Sequence, residues 1–238
     1  MSRAIKVINL GLPKSGTTTL GRALAAAGLR VADWRIRRGD PNATAIGFVG
    51  RLMYHAYFEK GDPLALMPNY DAFAEISIIR KGFNLWPQTD WGLIEAIRRH
   101  HPQARFVLTM RAPERISDSM RRWSDLGRRR LPGHDVPGLP RPWGGSDSER
   151  IRWIEAHAAF CRRVFAGSAD FLELDVESGS ARERLSSFLG RELPWWGVAN
   201  ANTRRQAAAP PPGNGNGGSV SGGTGAAAGP GGERGGKS

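Results

Sequence analysis

The sequence has one cysteine, Cys161, which excludes an intramolecular disulfide framework and a cysteine-rich zinc site. Long apolar runs are missing too: stretches such as 23–27 and 76–79 fall far short of the roughly 18 residues that a membrane span needs. The first ten residues carry two basic groups and a short Ile/Val/Leu stretch, then run into Gly11-Leu12-Pro13-Lys14-Ser15-Gly16 without a small-residue cleavage site. A cytoplasmic protein with no transmembrane segment is therefore expected. Lysine is scarce, since 29 of the 34 cations are arginine, and there is no internal repeat.

The formal charge of +12 suggests nucleic acid as a partner. The arginines, however, are scattered as pairs and triplets, such as Arg98-Arg99 and Arg128-Arg129-Arg130, rather than gathered into one arm with interleaved aromatics. Solvated faces are the expectation, with no specific nucleic-acid partner. Residues 206–238 are different in kind, with 12 Gly, 4 Pro and no aromatic among 33 residues. Such a segment buries too little apolar surface to offset its ordering entropy, so a disordered tail is expected after a single domain over residues 1–205.

Along those 205 residues, apolar runs alternate with helical periodicity. Residues 4–10 read as a buried strand stopped by Gly11, and 17–28 as a helix ended by Gly28. Residues 29–34 suggest a second strand, 35–43 a loop and 45–59 a helix, with another buried strand within 70–79. A helix from Thr89-Asp90 to His101, a strand over 105–110 and a helix over 113–126 follow. Residues 131–145, with four prolines and four glycines, form a loop or mobile flap. A helix to Phe165, a short strand at 171–174 and a helix to Gly190 complete the series. Spacing of this kind predicts an α/β fold in three layers, a central parallel sheet flanked by helices.

The turn after the first strand is built for an anion. Gly11 and Gly16 permit tight backbone turns, the following N–H groups and helix dipole favour an oxyanion, Lys14 adds a charge, and Thr17 and Thr18 add hydroxyls. The nucleoside-triphosphate loop G-x-x-x-x-G-K-[ST] is not satisfied, because Thr17 follows Gly16 where that motif requires Lys. Later, Arg111 closes the strand Phe106-Val107-Leu108-Thr109-Met110, and Ser119 lies eight residues on, in the next helix. A guanidinium fork and a hydroxyl two turns apart can converge on one phosphate.

These two motifs together resemble the sulfotransferases that use 3′-phosphoadenosine 5′-phosphosulfate (PAPS). The similarity is sharp at residues 11–20 and at Arg111 with Ser119, and diffuse elsewhere over 4–203. It includes the turn Gly190-Arg191-Glu192-Leu193-Pro194 and an Asn-containing segment at 200–203. The resemblance implies a P-loop-like fold with PAPS as the sulfuryl donor and no metal. Lys14 would neutralise the departing oxygen, Ser15, Gly16, Thr17 and Thr18 would hold the 5′-phosphate and sulfonate, and Arg111 and Ser119 the 3′-phosphate.

A general base must then deprotonate the acceptor. The short His motif of one branch of these enzymes is missing. In similar bacterial sequences an acidic residue follows a Tyr-Asp-Ala-Phe-like segment, and Tyr70-Asp71-Ala72-Phe73-Ala74-Glu75 fits, with Glu75 the first candidate and Asp71 the second. His55, His100 and His101 suit a helix surface better, and Cys161 suits a core. The acceptor, a small molecule, glycan or lipid, is expected to lie against residues 46–67 and 131–143, whose Phe48, Met53, Tyr54, Tyr57, Phe58 and Trp143 suit a packed core equally. Arg128–Arg130 and Arg141 would favour an acidic sugar. Two other readings stay open: a divergent P-loop kinase of nucleotides or small molecules, and a non-catalytic module binding a nucleotide or nucleic acid.

Overall fold

A computed structural model describes residues 5–80 and 82–197. The expected tail at 206–238, the last residues of the expected domain and the segment at 200–203 lie outside the described residues.

Short runs buried at consecutive residues build a parallel sheet with two covered faces. Its strands are β1 (Val7–Asn9), β2 (Val31–Ala32), β5 (Ala72–Phe73), β8 (Arg105–Met110) and β9 (Phe171–Asp175), in the order β2-β5-β1-β8-β9. On one face Ile8, Leu10, Phe73, Phe106 and Leu108 pack under α2 (Val49–Lys60), α3 (Trp91–His100) and α5 (Asp147–Val164). On the other, Val7, Ala72, Val107 and Leu174 meet Leu20 and Leu24 of α1 (Thr17–Ala26) and Leu185 of α6 (Ala181–Leu189). This is the three-layer α/β arrangement that the alternation predicts, with helices on both faces.

The chain leaves β1 toward β5 and β2 on one side, then returns to place β8 on the other. Strand order thus reverses at β1, and in open α/β sheets the crevice at the carboxyl ends there is the usual ligand site. The loop of residues 11–16 sits at that point.

Several elements differ in detail from the sequence expectation. The stretch 29–43 yields β2 and a short β3 (Arg35–Ile36), which pairs antiparallel with β4 (Gly47–Phe48) ahead of α2. The strand expected within 70–79 is split into β5 in the main sheet and β6 (Ile78–Arg80), which forms an antiparallel ribbon with β7 (Phe83–Leu85). The helix expected to reach 126 is α4 (Pro113–Arg122). It stops at Trp123 before Ser124, whose φ of 52° leaves the helical region, and a π turn follows over Leu126–Arg130.

The Pro/Gly segment 131–145 is a loop, but a packed one. Leu131, Val136 and Leu139 are buried with Trp153 and Trp86, and the Trp153 indole Nε1–H donates to Pro137 O at 2.9 Å. Its base is stitched by Arg150, which is 1% exposed. That guanidinium donates to the carbonyls of Gly127, Gly144 and Gly145, to Ser117 Oγ and to Asp147 Oδ1. Burying a cation is costly unless every donor finds a partner, and these five acceptors provide them. Ser146 opens α5 with a reciprocal capping box to Glu149, as Ser146-Asp147-Ser148-Glu149 predicts.

Candidate functional site

Asn9, at the end of β1, organises the carboxyl edge of the sheet. Its side-chain amide donates to Ala74 O at 2.6 Å, and its Oδ1 accepts from Gly11 N at 3.0 Å and from Thr109 Oγ1 at 3.1 Å. One residue thereby ties β1, β5, β8 and the start of the loop together. Gly11 is required there, because a Cβ would fall 2.0 Å from Thr109 Oγ1. On the loop's other flank, buried His157 lies 2.7 Å from Leu10 O. That carbonyl can only accept, so Nε2 carries the proton, and burial pushes the ring's pKa down toward its neutral form. Neither Asn9 nor His157 announces itself in the sequence.

The loop turns through Lys14 at φ 74° and Gly16 at φ 114°, where a Cβ would also meet Val176 at 2.7 Å. A left-handed lysine is uncommon, and a second such residue, Ser124, lines the same cleft; backbone strain of this kind collects at functional sites. α1 then begins at Thr17 with no side-chain cap and no acidic residue in its first turn, leaving its N-terminal N–H groups and dipole suited to an anion. Ser15 is placed differently from the expectation. Its hydroxyl faces the sheet, 2.7 Å from Thr109 Oγ1, and its N–H bonds Leu12 O, so it braces the loop from below.

Lys14, Thr17, Thr18 and Glu75 share a cleft of about 690 Å³ with Asp33, Trp34, Ser77–Arg80, Trp123–Leu126 and Arg130. That volume suits a small-molecule ligand. Lys14 Nζ lies 4.9 Å from the Trp123 ring centroid, a cation–π contact. Burial lowers its pKa, and the charges of Arg111 and Arg122 push the same way.

Glu75 lies two residues past the end of β5 and is half-buried. Burial pushes its carboxyl up to about 7, against hydrogen bonds from Ser77 and Thr17 that favour the ionised form, while the charge of Asp33 adds to the rise. Ser77 donates to Glu75 Oε1 through its N–H at 3.0 Å and its hydroxyl at 2.6 Å, fixing the carboxylate's direction. A half-buried carboxyl poised near neutrality in the same cleft as a lysine is an arrangement that suits general-base chemistry.

Asp71 is not in this cleft. It precedes β5 at the opposite end of the sheet, where its two oxygens take Arg30 Nε and Nη2 at 2.8 Å each and its Oδ2 also takes the Arg30 N–H. The Arg30 guanidinium holds its carboxyl below the usual range, and that pairing gives it a structural role. His101 pairs with Asp62 and His55 with Glu59, both away from the cleft. Residues 46–67 and 131–143 do not line it either: Met53 packs against the sheet, Leu131, Val136 and Leu139 pack under the loop, and Phe58 and Trp143 are exposed elsewhere on the surface.

Arg111 emerges from β8 beside the loop, outside the lining of the cleft, and Ser119 is buried in α4. The Arg111 guanidinium already holds an anion: Nε and Nη2 donate to Glu177 Oε1 at 2.9 and 2.5 Å, and Arg115 joins at 3.1 Å. Burial opposes ionisation of Glu177, yet the two arginines hold its pKa below the ordinary value.

A family profile described as the sulfotransferase domain matches residues 6–132, just over half of the chain. The chain belongs to the sulfotransferase-domain family. The matched span runs from β1 through the loop and Glu75 to Arg111, Ser119 and the π turn, so both motifs that carried the resemblance fall within it. No curated protein matches the chain significantly. Among the described residues no helix is long and apolar enough to cross a membrane.

Proposed function

We propose that the cleft transfers a sulfuryl group from PAPS to a hydroxyl of an acceptor, with Glu75 as the base. Membership in the family supports sulfuryl transfer in general terms. The observation that carries the finer reading is the joining in one cleft of Lys14, the uncapped start of α1 and a carboxyl whose pKa is pushed up to about 7.

The residues present fit the donor. A loop too tight for Cβ atoms at Gly11 and Gly16, a helix N-terminus without an acid, and Arg111 at a strand end suit a nucleotide with two separate phosphate groups. When bound, PAPS supplies the activated sulfuryl group. Lys14 then compensates charge growing on the departing phosphate oxygen, aided by N–H groups of α1 that are already oriented. Thr17 and Thr18 present hydroxyls at the same end of the cleft. Glu75, aimed by Ser77, accepts the acceptor hydroxyl proton. Because Thr17 also bonds Glu75, the anion-binding helix and the base are coupled through one side chain.

The direct test is calorimetry with 3′-phosphoadenosine 5′-phosphate (PAP). Lys14→Ala and Arg111→Ala are each expected to weaken its binding by about tenfold or more, the loss of one charge-assisted contact. Unchanged affinity in both variants would reject the reading. Transfer of labelled sulfate from PAPS in the presence of a magnesium chelator separates it from phosphoryl transfer.

A further inference from the structure

The cleft wall at Trp34 continues into a row of rings. Trp34, which lines it, stacks on Phe48 at 5.6 Å, and Phe48 meets Phe83 at 5.2 Å, so the two antiparallel ribbons β3-β4 and β6-β7 are joined by aromatic contact. Guanidiniums lie over these rings: Arg37 on Trp34, Arg35 and Arg80 on Phe48, and Arg51 on Phe83, at 5.2 to 5.9 Å from the ring centroids. All four arginines are exposed, and Arg80 also lines the cleft.

Most arginines elsewhere at the site have acids to answer them. Arg130 has Asp125, Arg111 and Arg115 have Glu177, and Arg121 and Arg122 have Asp118. Among the described residues, Arg35, Arg51 and Arg80 have no carboxylate within ion-pair distance, and Arg37 has only the longer-range charge of Asp33. Guanidiniums held over rings are preorganised and partly stripped of water, with N–H donors left for an incoming anion. Positive charge with no acid partner at the mouth of a cleft also concentrates anions there.

We infer that this arginine–aromatic rim is the acceptor subsite, and that it selects hydroxyl compounds carrying a carboxylate or sulfate on a flat sugar or aromatic frame. The flat frame stacks on Trp34, the anion meets Arg80, and longer acceptors continue along Phe48 and Phe83 toward Arg35 and Arg51. The assignment rests on the transferase reading of the cleft, and it narrows the stretch 46–67 to Phe48 and Arg51, joined by Trp34, Arg35, Arg80 and Phe83 from outside it, with no part for 131–143.

The test compares matched acid and neutral compounds: para-nitrophenyl β-glucuronide against the corresponding glucoside, and para-hydroxyphenylacetate against para-hydroxyphenylethanol. Binding to the full chain is followed by tryptophan fluorescence and calorimetry, with and without PAP, and turnover by label transfer from PAPS. The acid member of at least one pair is expected to bind about tenfold more tightly, an advantage that falls steeply with added salt. Arg80→Gln, and separately Arg35→Gln with Arg51→Gln, should bring the acid-to-neutral ratio to within about twofold of one while PAP affinity stays unchanged. These side chains are exposed, so the variants should fold. Equal binding of acid and neutral members in both pairs, no binding of either, or an acid preference that survives all three substitutions overturns the proposal. Failure of PAP to bind while the acid preference persists would reject the cofactor reading and the acceptor role with it, leaving the rim as an anion-binding surface alone.

Discussion

Two carboxylates bracket the two-residue strand β5, and their fates are opposite. Asp71, at the amino end of the strand, is gripped by Arg30 and kept ionised well below neutral pH. Glu75, at the carboxyl end, is surrounded by buried backbone and hydroxyl donors, with no arginine in contact, and rises to about 7. The same type of group is a structural tie at one end of the sheet and a titratable group at the other. The difference lies in what the sheet's ends offer. Parallel strands deliver loops, helix N-termini and ligand space to their carboxyl ends, and ordinary packing to their amino ends.

The contrast breaks most sharply at Glu75. Glu75→Gln keeps the shape and the Ser77 contact but removes the base, and kcat is expected to fall by roughly 10²–10⁴. PAP affinity measured by calorimetry should hold. Normal turnover in this variant would end the assignment. The same substitution should raise stability at pH 8 by roughly 1–3 kcal/mol in thermal or denaturant unfolding. The sign follows from the raised pKa: the folded state binds a proton more readily than the unfolded chain, so wild-type stability declines as pH climbs from about 4.5 to about 7.

Asp71→Asn tests the other end. It should cost about 1–2 kcal/mol at pH 7, for a charge-assisted pair that is half open to water on the arginine side, with turnover per folded molecule unchanged. Here the sign reverses. A lowered carboxyl pKa adds stability that is present above about pH 4 and disappears as acid protonates the folded form, so wild type and variant should converge in acid. Lost turnover in Asp71→Asn would overturn the division of roles.

A smaller effect sharpens the comparison. The acid limb of kcat/KM should have its midpoint near pH 7, with activity rising as Glu75 ionises. Ser77→Ala removes a 2.6 Å hydrogen bond that favours the ionised form, so the midpoint should move upward by about half a unit to one unit. A downward or absent shift would mean that another group sets the limb.

How much of this was legible depends on how far apart the partners lie in the chain. The glycine-rich loop at 11–16, its following helix and the Asp90 and Ser146 caps are local patterns, and residues a few positions apart decide them. The three-layer sheet was legible from the apolar runs at 4–10 and 105–110 and from helices spaced between strands, because an apolar run with two covered faces has few alternatives. The split of 70–79 into β5 and β6, and the pairing of β3 with β4, were not, because two-residue strands carry no periodicity. Arg150 could not be told from the other arginines, since the five groups that anchor it come from three separate segments.

The sequence alone determined the glycine-rich turn with Lys14, the candidate carboxylates Asp71 and Glu75, the alternation of strands and helices and the family resemblance, because each is written in neighbouring residues. Only the tertiary structure set Glu75 in the cleft and Asp71 on Arg30, turned Ser15 into a brace, made Asn9 the hub of three strands, and put Glu177 on Arg111. It also took the cleft wall from residues 33–34, 77–80 and 123–130 rather than from the aromatic stretches that composition favoured. The reason is physical: hydrophobic pattern fixes which face is buried, whereas the environment of a charge depends on groups brought together from distant parts of the chain.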